Sequence, residues 1–237
     1  MPPPDRTRIG LKDAVNRLAK LYGRPRPPLR DPFALLLWEN VAYLVDDARR
    51  ARAFAALKRK IGLAPEKILA TPSNALATLI KDGGMLPPMR AEKLKRCAEL
   101  ALEIGLPRLR QAVRADPELA KQLLRRFPGI GVPGADKILL FCRGQRSLGP
   151  DSNALRVLRR LGYGEEGKDY GRKYRSVTAA VAPELPHDYG WLIRAHKLLR
   201  RHGQELCRTS SPRCELCPLT AACVWYQLIQ ARTHGAE

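Results

Sequence analysis

What this 237-residue chain lacks narrows its class before anything it contains. It has no run of about 20 apolar residues, the length a helix needs to cross a bilayer, so no membrane span is expected. The opening MPPPDRTRIG offers no apolar stretch for a secretory signal, and a cytosolic setting is the default expectation. Aromatic residues make up 6% of the chain, which disfavours stacking platforms for single-stranded nucleic acid. Strand signals are poor throughout. Acidic residues are outnumbered, 23 against 43 Lys and Arg, for a formal charge of +20. So positive a surface releases counterions when it meets phosphates, and nucleic acid is the first expected partner. Charge kept for solubility alone is the bland alternative.

Helical periodicity fills the space left by the missing strands. Leu11, Val15, Leu18 and Leu21 predict a helix over 11–22, ended near Gly23 and followed by the proline-rich stretch Arg24 to Pro32. Phe33 to Leu57 reads as two helices, with further helices over 66–81, 90–104, 107–114, 117–126, 152–161, 170–182 and 188–202. An all-α protein is the reading, with no repeat of fixed period.

Four of six cysteines crowd the tail in CRTSSPRCELCPLTAAC. Cys207, Cys214, Cys217 and Cys223 form a C-x6-C-x2-C-x5-C array. Zinc and a cubane iron-sulfur cluster both accept four thiolates, and the single uneven loop favours iron-sulfur over paired zinc knuckles. Disulfides are the competing reading, weakened by the absent secretory signal. Cys97 and Cys142 fall on apolar helical stripes and read as core.

The stretch RRFPGIGVPGADKILLF, Arg125 to Phe141, places a glycine-rich turn between two helical patterns. Asp116-Pro117 starts the first helix and Pro133 suits the first turn of the second. Glycines in the turn let a phosphate approach unpaired backbone N–H groups, which makes a clamp without sequence preference; plain helix packing is the alternative.

FPGIGVPGA resembles the helix-hairpin-helix of endonuclease III-like DNA glycosylases. The cysteine array, with His202-Gly203 before it and Pro212 inside it, resembles that superfamily's 4Fe-4S loop, and the loop ending in Pro150-Asp151 resembles its segment before the catalytic aspartate. The resemblance spans about Pro32 to Cys223. It implies a two-lobed helical fold: a barrel domain over 31–145 containing the hairpin (about 117–142), and a cluster domain of 1–30 plus 146–237. It implies a 4Fe-4S cofactor on the four cysteines, shaping a basic loop from which Arg208 and Arg213 meet DNA. Gly129, Ile130, Gly131, Val132 and Gly134 become DNA-binding positions. The implied partner is double-stranded DNA with a damaged or mismatched base, met by a monomer in a bacterial or archaeal nucleoid.

Asp151 falls on the catalytic carboxylate, which would stabilise an oxocarbenium-like sugar and help water attack. Helix capping is its ordinary alternative, and one carboxylate can do both. Where bifunctional relatives keep a Schiff-base lysine this chain has Pro133, so the expected reaction is hydrolysis without strand cleavage. Lys137, one turn further along the same face, is a substitute amine or else a lysine with its ammonium in solvent. Glu39 matches the glutamate with which adenine-removing members protonate the purine; an exposed or ion-paired helix residue is the other reading. Leu44 falls where relatives carry a gap-filling glutamine, so Tyr43 and Leu44 are wedge or pocket candidates, unless they are core. A non-catalytic lesion-binding protein is the reading from another class.

Overall fold

The computed structural model describes residues 8–25, 29–165, 167 and 169–234. Residues 26–28, inside the proline-rich stretch, lie outside them. The described residues form thirteen α-helices: α1 Leu11–Tyr22, α2 Pro32–Asn40, α3 Asp47–Lys60, α4 Pro65–Ala70, α5 Ser73–Leu79, α6 Pro87–Ile104, α7 Leu106–Ala115, α8 Pro117–Leu124, α9 Val132–Phe141, α10 Ser152–Arg160, α11 Tyr170–Val181, α12 Tyr189–Glu205 and α13 Val224–His234. Their extended pairing is limited to one isolated bridge, Tyr43 to Gly84. The all-α expectation is met. No described helix is long and apolar enough to cross a membrane.

Aspartate punctuates these helices. Asp31, Asp46, Asp116, Asp151, Asp169 and Asp188 each precede a helix and accept a hydrogen bond from a backbone N–H of its first turn. Such a cap satisfies a donor that the helix itself leaves unpaired. Six aspartates share the role, so capping does not set Asp151 apart.

The chain divides into two compact units, Pro28–Gln145 and the combination of Met1–Pro27 with Arg146–Glu237. In the first, α2 is buried nearly all round, from Pro32 to Leu37 and again at Asn40. The longest helix, α6, packs on α2, α4 and α5 through Ala91, Leu94, Cys97, Ala98 and Ala101. Arg90 is buried on the same helix, 1% exposed, where an isolated charge would be costly. It is satisfied by carbonyls: Nη1 donates to Val41 O at 2.5 Å and Ile80 O at 2.8 Å, Nη2 to Gly84 O at 2.7 Å and Nε to Met85 O at 2.9 Å. One guanidinium therefore pins the loop after α2 to the loop before α6.

In the second unit, α10 packs against α12, and α1 lies on α12. Leu155, Leu158, Leu192, Ala195 and Leu199 are buried there. Gly203 lets α12 come close: a Cβ on it would stand 2.5 Å from Asn153 O, in the first turn of α10. The N-terminal segment is tied in by Tyr163, whose hydroxyl donates to Ile9 O at 3.0 Å, and by Glu184, whose Oε2 accepts from Leu11 N at 2.5 Å.

Candidate active site and nucleic-acid interface

Between α8 and α9 the chain turns through Pro128, Gly129, Ile130 and Gly131. Gly129 takes φ 71°, a left-handed conformation that a side chain would strain. Ile130 buries its side chain, 6% exposed, which holds the backbone of the turn outward. Gly131 and Val132 are exposed and Gly134 is half-buried. No hydrogen bond among the described residues engages the N–H groups of Gly129, Gly131, Val132 or Gly134. With the positive end of the α9 dipole behind them, they form a rim suited to an anion. Asn40, 5% exposed, fixes the turn from beneath: its Nδ2 donates to Pro128 O and to Leu36 O, both at 3.0 Å.

On the following helix, Pro133 occupies the first turn and brings no amine. Lys137 lies one turn on, and its ammonium is not in open solvent. Nζ stands 2.8 Å from Glu39 Oε2, with the two side chains 14% and 22% exposed. Arg50 Nη1 approaches the same oxygen at 3.8 Å and donates to Trp38 O at 3.1 Å. Two residues singled out separately in the sequence are thus a single charged pair in the structure.

Tyr43 and Leu44 are 45% and 71% exposed, which removes the core reading. Leu44 adopts φ 54°. Across the Tyr43–Gly84 bridge stand Met85 and Leu86, 57% and 50% exposed. Four large apolar side chains therefore face water on two loops that Arg90 clips together.

In the other unit, Asp151 Oδ1 accepts from Asn153 N at 3.0 Å and Ala154 N at 2.9 Å. Its Oδ2 accepts from Arg200 Nε of α12 at 2.9 Å, with side chains 23% and 21% exposed. Three donors thus converge on this carboxylate. Its charge also reaches Tyr170, whose pKa is raised first by burial and then by Asp151.

No protein-family model matches the chain. It is 26% identical over 198 residues to endonuclease III of Sulfolobus acidocaldarius, an alignment covering 83% of each protein. Among solved structures, a trapped covalent endonuclease III–DNA intermediate superposes with TM-score 0.69 at 21% identity, covering 93% of this chain and 97% of that one. A thermostable thymine-DNA glycosylase gives 0.68 at 22%, covering 92% and 97%. The chain has the endonuclease III fold.

On that fold the expected 4Fe-4S cluster requires correction. Among the described residues, no group of three or more Cys, His, Asp or Glu side chains is disposed to hold a metal ion, and all six cysteines are free. Cys207, Cys214, Cys217 and Cys223 do line one small recess with Arg160 and Trp225. Three of the four sulfurs, however, are engaged by the protein. Cys207 Sγ accepts from Arg160 Nη1 at 3.3 Å, Cys217 Sγ accepts from Leu219 N at 3.4 Å, and Cys223 Sγ donates to Arg160 O at 3.4 Å. Burial raises the pKa of the Cys214, Cys217 and Cys223 thiols. The loop is tied by Thr220 Oγ1, which shares its one proton between Cys214 O at 2.5 Å and Cys217 O at 2.9 Å. Arg208 and Arg213 are exposed on it.

Three positioning residues escape a reading of the sequence. Arg200 lies far from Asp151 along the chain, in a helix rich in basic residues where none stands out. Asn40 ends an apolar helix and looks like a stop signal. Arg90 follows Pro87-Pro88-Met89 on an amphipathic helix, where an arginine ordinarily faces solvent. Their partners are backbone carbonyls and distant side chains, which leave no local pattern.

Proposed function

We propose that this protein is a base-excision-repair DNA glycosylase that binds duplex DNA containing a damaged or mismatched base, flips that base out and breaks its N-glycosidic bond. The observation that carries the reading is the hairpin rim: N–H groups without internal acceptors, on exposed glycine backbone, in a chain of formal charge +20. These groups would grip one phosphate without reading sequence. In this reading Gly129, Ile130, Gly131, Val132 and Gly134 form the clamp, and Arg208 and Arg213 add phosphate contacts. Tyr43 and Leu44 fill the space of the flipped nucleotide, offsetting part of the stacking energy lost. The hairpin domain spans 31–145, and residues 1–30 with 146–237 form the other.

Two chemical forms follow from different residues. Endonuclease III is prominent among the similar proteins and was trapped covalently on DNA in one structure; these findings favour a glycosylase with lyase activity. With Pro133 lacking an amine, that form uses Lys137. Glu39 Oε2, 2.8 Å away, accepts the proton that Nζ must give up before it attacks the sugar carbon; the base leaves as the Schiff base forms. Elimination of the 3′ phosphate then nicks the strand. The hydrolytic form rests on Pro133 and Asp151: the anionic carboxylate stabilises the oxocarbenium-like sugar, and water is the nucleophile.

Base release should be screened on duplexes carrying uracil, thymine mismatches, oxidised pyrimidines, alkylated purines or adenine opposite oxidised guanine. Borohydride trapping on abasic duplex then separates the forms. A covalent adduct lost in Lys137→Ala supports the lyase, and release without an adduct supports hydrolysis. Tight, salt-sensitive binding with no release from any duplex would overturn the enzymatic reading in favour of a non-catalytic lesion-binding protein.

A further inference from the structure

At the ends of α2 and α9 remote from the hairpin, Arg30, Asp31, Arg110, Arg114 and Cys142 line a recess of about 320 Å³, with Pro32 and Val113 as its apolar wall. That volume falls within the range of small-molecule sites, about 300–1,000 Å³. Three guanidiniums meet a single carboxylate there, and that carboxylate is already engaged. Asp31 Oδ1 accepts from Ala34 N at 2.9 Å, and Oδ2 from Arg110 Nε at 2.8 Å. Arg30 and Arg114 are exposed and pair with no acidic side chain among the described residues. Burial, and then the Asp31 charge, push the Cys142 thiol up to about 12, so it adds no negative charge at neutral pH.

A concave surface with two uncompensated positive charges concentrates anions. A phosphomonoester, carrying close to two negative charges at neutral pH, cancels both, whereas a monocarboxylate leaves one. Guanidinium forks also match phosphate oxygens two at a time. We propose that this recess binds a small phosphomonoester of the size of a nucleoside monophosphate, held by Arg30, Arg110 and Arg114 against the wall of Pro32 and Val113.

The site is separate from the hairpin. Asn40, which holds Pro128, and Asp31, which lines the recess, flank nearly the whole of the nine-residue α2. At 1.5 Å per residue that is about 13 Å along the helix. The proposal therefore stands or falls independently of glycosylase activity.

Calorimetric titration at constant ionic strength, with deoxyadenosine monophosphate and with inorganic phosphate, tests it. Saturable binding of one monophosphate is expected, at least fivefold tighter than inorganic phosphate. It should weaken at least tenfold in Arg30→Ala and in Arg114→Ala, with duplex affinity changed less than twofold. Inorganic phosphate binding as tightly as the monophosphate would overturn the monoester assignment. Absent saturation, unchanged binding in both variants, or duplex affinity falling in step with monophosphate affinity would overturn the site, the last by making it part of the DNA track.

Discussion

Asp151 caps α10 and is proposed to serve chemistry, and substitution can separate the two roles. In Asp151→Asn the amide oxygen still accepts from Asn153 and Ala154, because Asn and Asp cap about equally well. The bond from Arg200 is lost, since an amide NH2 then faces the guanidinium donor. A charge-assisted bond between partly buried groups contributes roughly 1.5–3 kcal/mol. Arg200 has further interactions, so a loss of about 1–2 kcal/mol is expected, or about 2–8 °C in Tm for a chain of this size. Asp151→Ser keeps a capping hydroxyl and loses the same ion pair, so its Tm should match. Asp151→Ala loses the cap as well, about 1 kcal/mol more. Base release should follow a different order. With the anion gone, single-turnover release on the best duplex of the screen should fall about 10²–10⁴-fold in all three variants, while anisotropy shows duplex affinity within threefold. Release within threefold of wild type in Asp151→Asn would remove the carboxylate from the chemistry. Release that tracks Tm across the series would make it purely structural.

Three further outcomes follow from the same kind of accounting. Arg90→Met strands the carbonyls of Val41, Ile80, Gly84 and Met85 and should cost about 4 kcal/mol, read as a fall in the urea midpoint, with Arg90→Lys recovering part of it. Asn40→Ala removes the donor under the hairpin; a loss of about 1–3 kcal/mol in the melt and duplex affinity several-fold weaker by anisotropy are expected. The Cys97 thiol is pushed up to about 12 by burial, above its ordinary 9. A raised folded pKa gives stability that is complete below pH 9 and is lost as pH rises towards 12. Denaturation at pH 8 and pH 10.5 should therefore show wild type losing about 2 kcal/mol more than Cys97→Ala.

Local chemistry carried most of the fold into the sequence. Asp-Pro pairs at 31–32 and 116–117 mark helix starts, and Gly23 and Gly105 mark ends, because caps and breakers act within a few residues. The pattern over 66–81 reads as one helix but divides at Thr71-Pro72, since the residue before a proline avoids helical geometry. Local geometry was legible wherever a motif is contiguous, as in the hairpin turn and the helix cap at Asp151. The candidate site was illegible where partners are remote: Glu39 with Lys137, and Asp151 with Arg200. The cysteine array shows the opposite failure. Spacing along a chain reports which thiols exist, while metal binding depends on where their sulfurs point, and here three of the four enter hydrogen bonds with the protein.

The contact at Gly203 has a consequence for how this chain can vary over time. The nearest obstacle beneath residue 203 is a backbone oxygen, so no replacement of Asn153 makes room for even a methyl group on α12. A substitution there would separate α10 from α12, and with them the cap of Asp151 from Arg200. Lineages descended from this sequence should thus be free to explore residues 204 and 205, both exposed, while position 203 stands still. The carboxylate is guarded by a residue with no side chain at all.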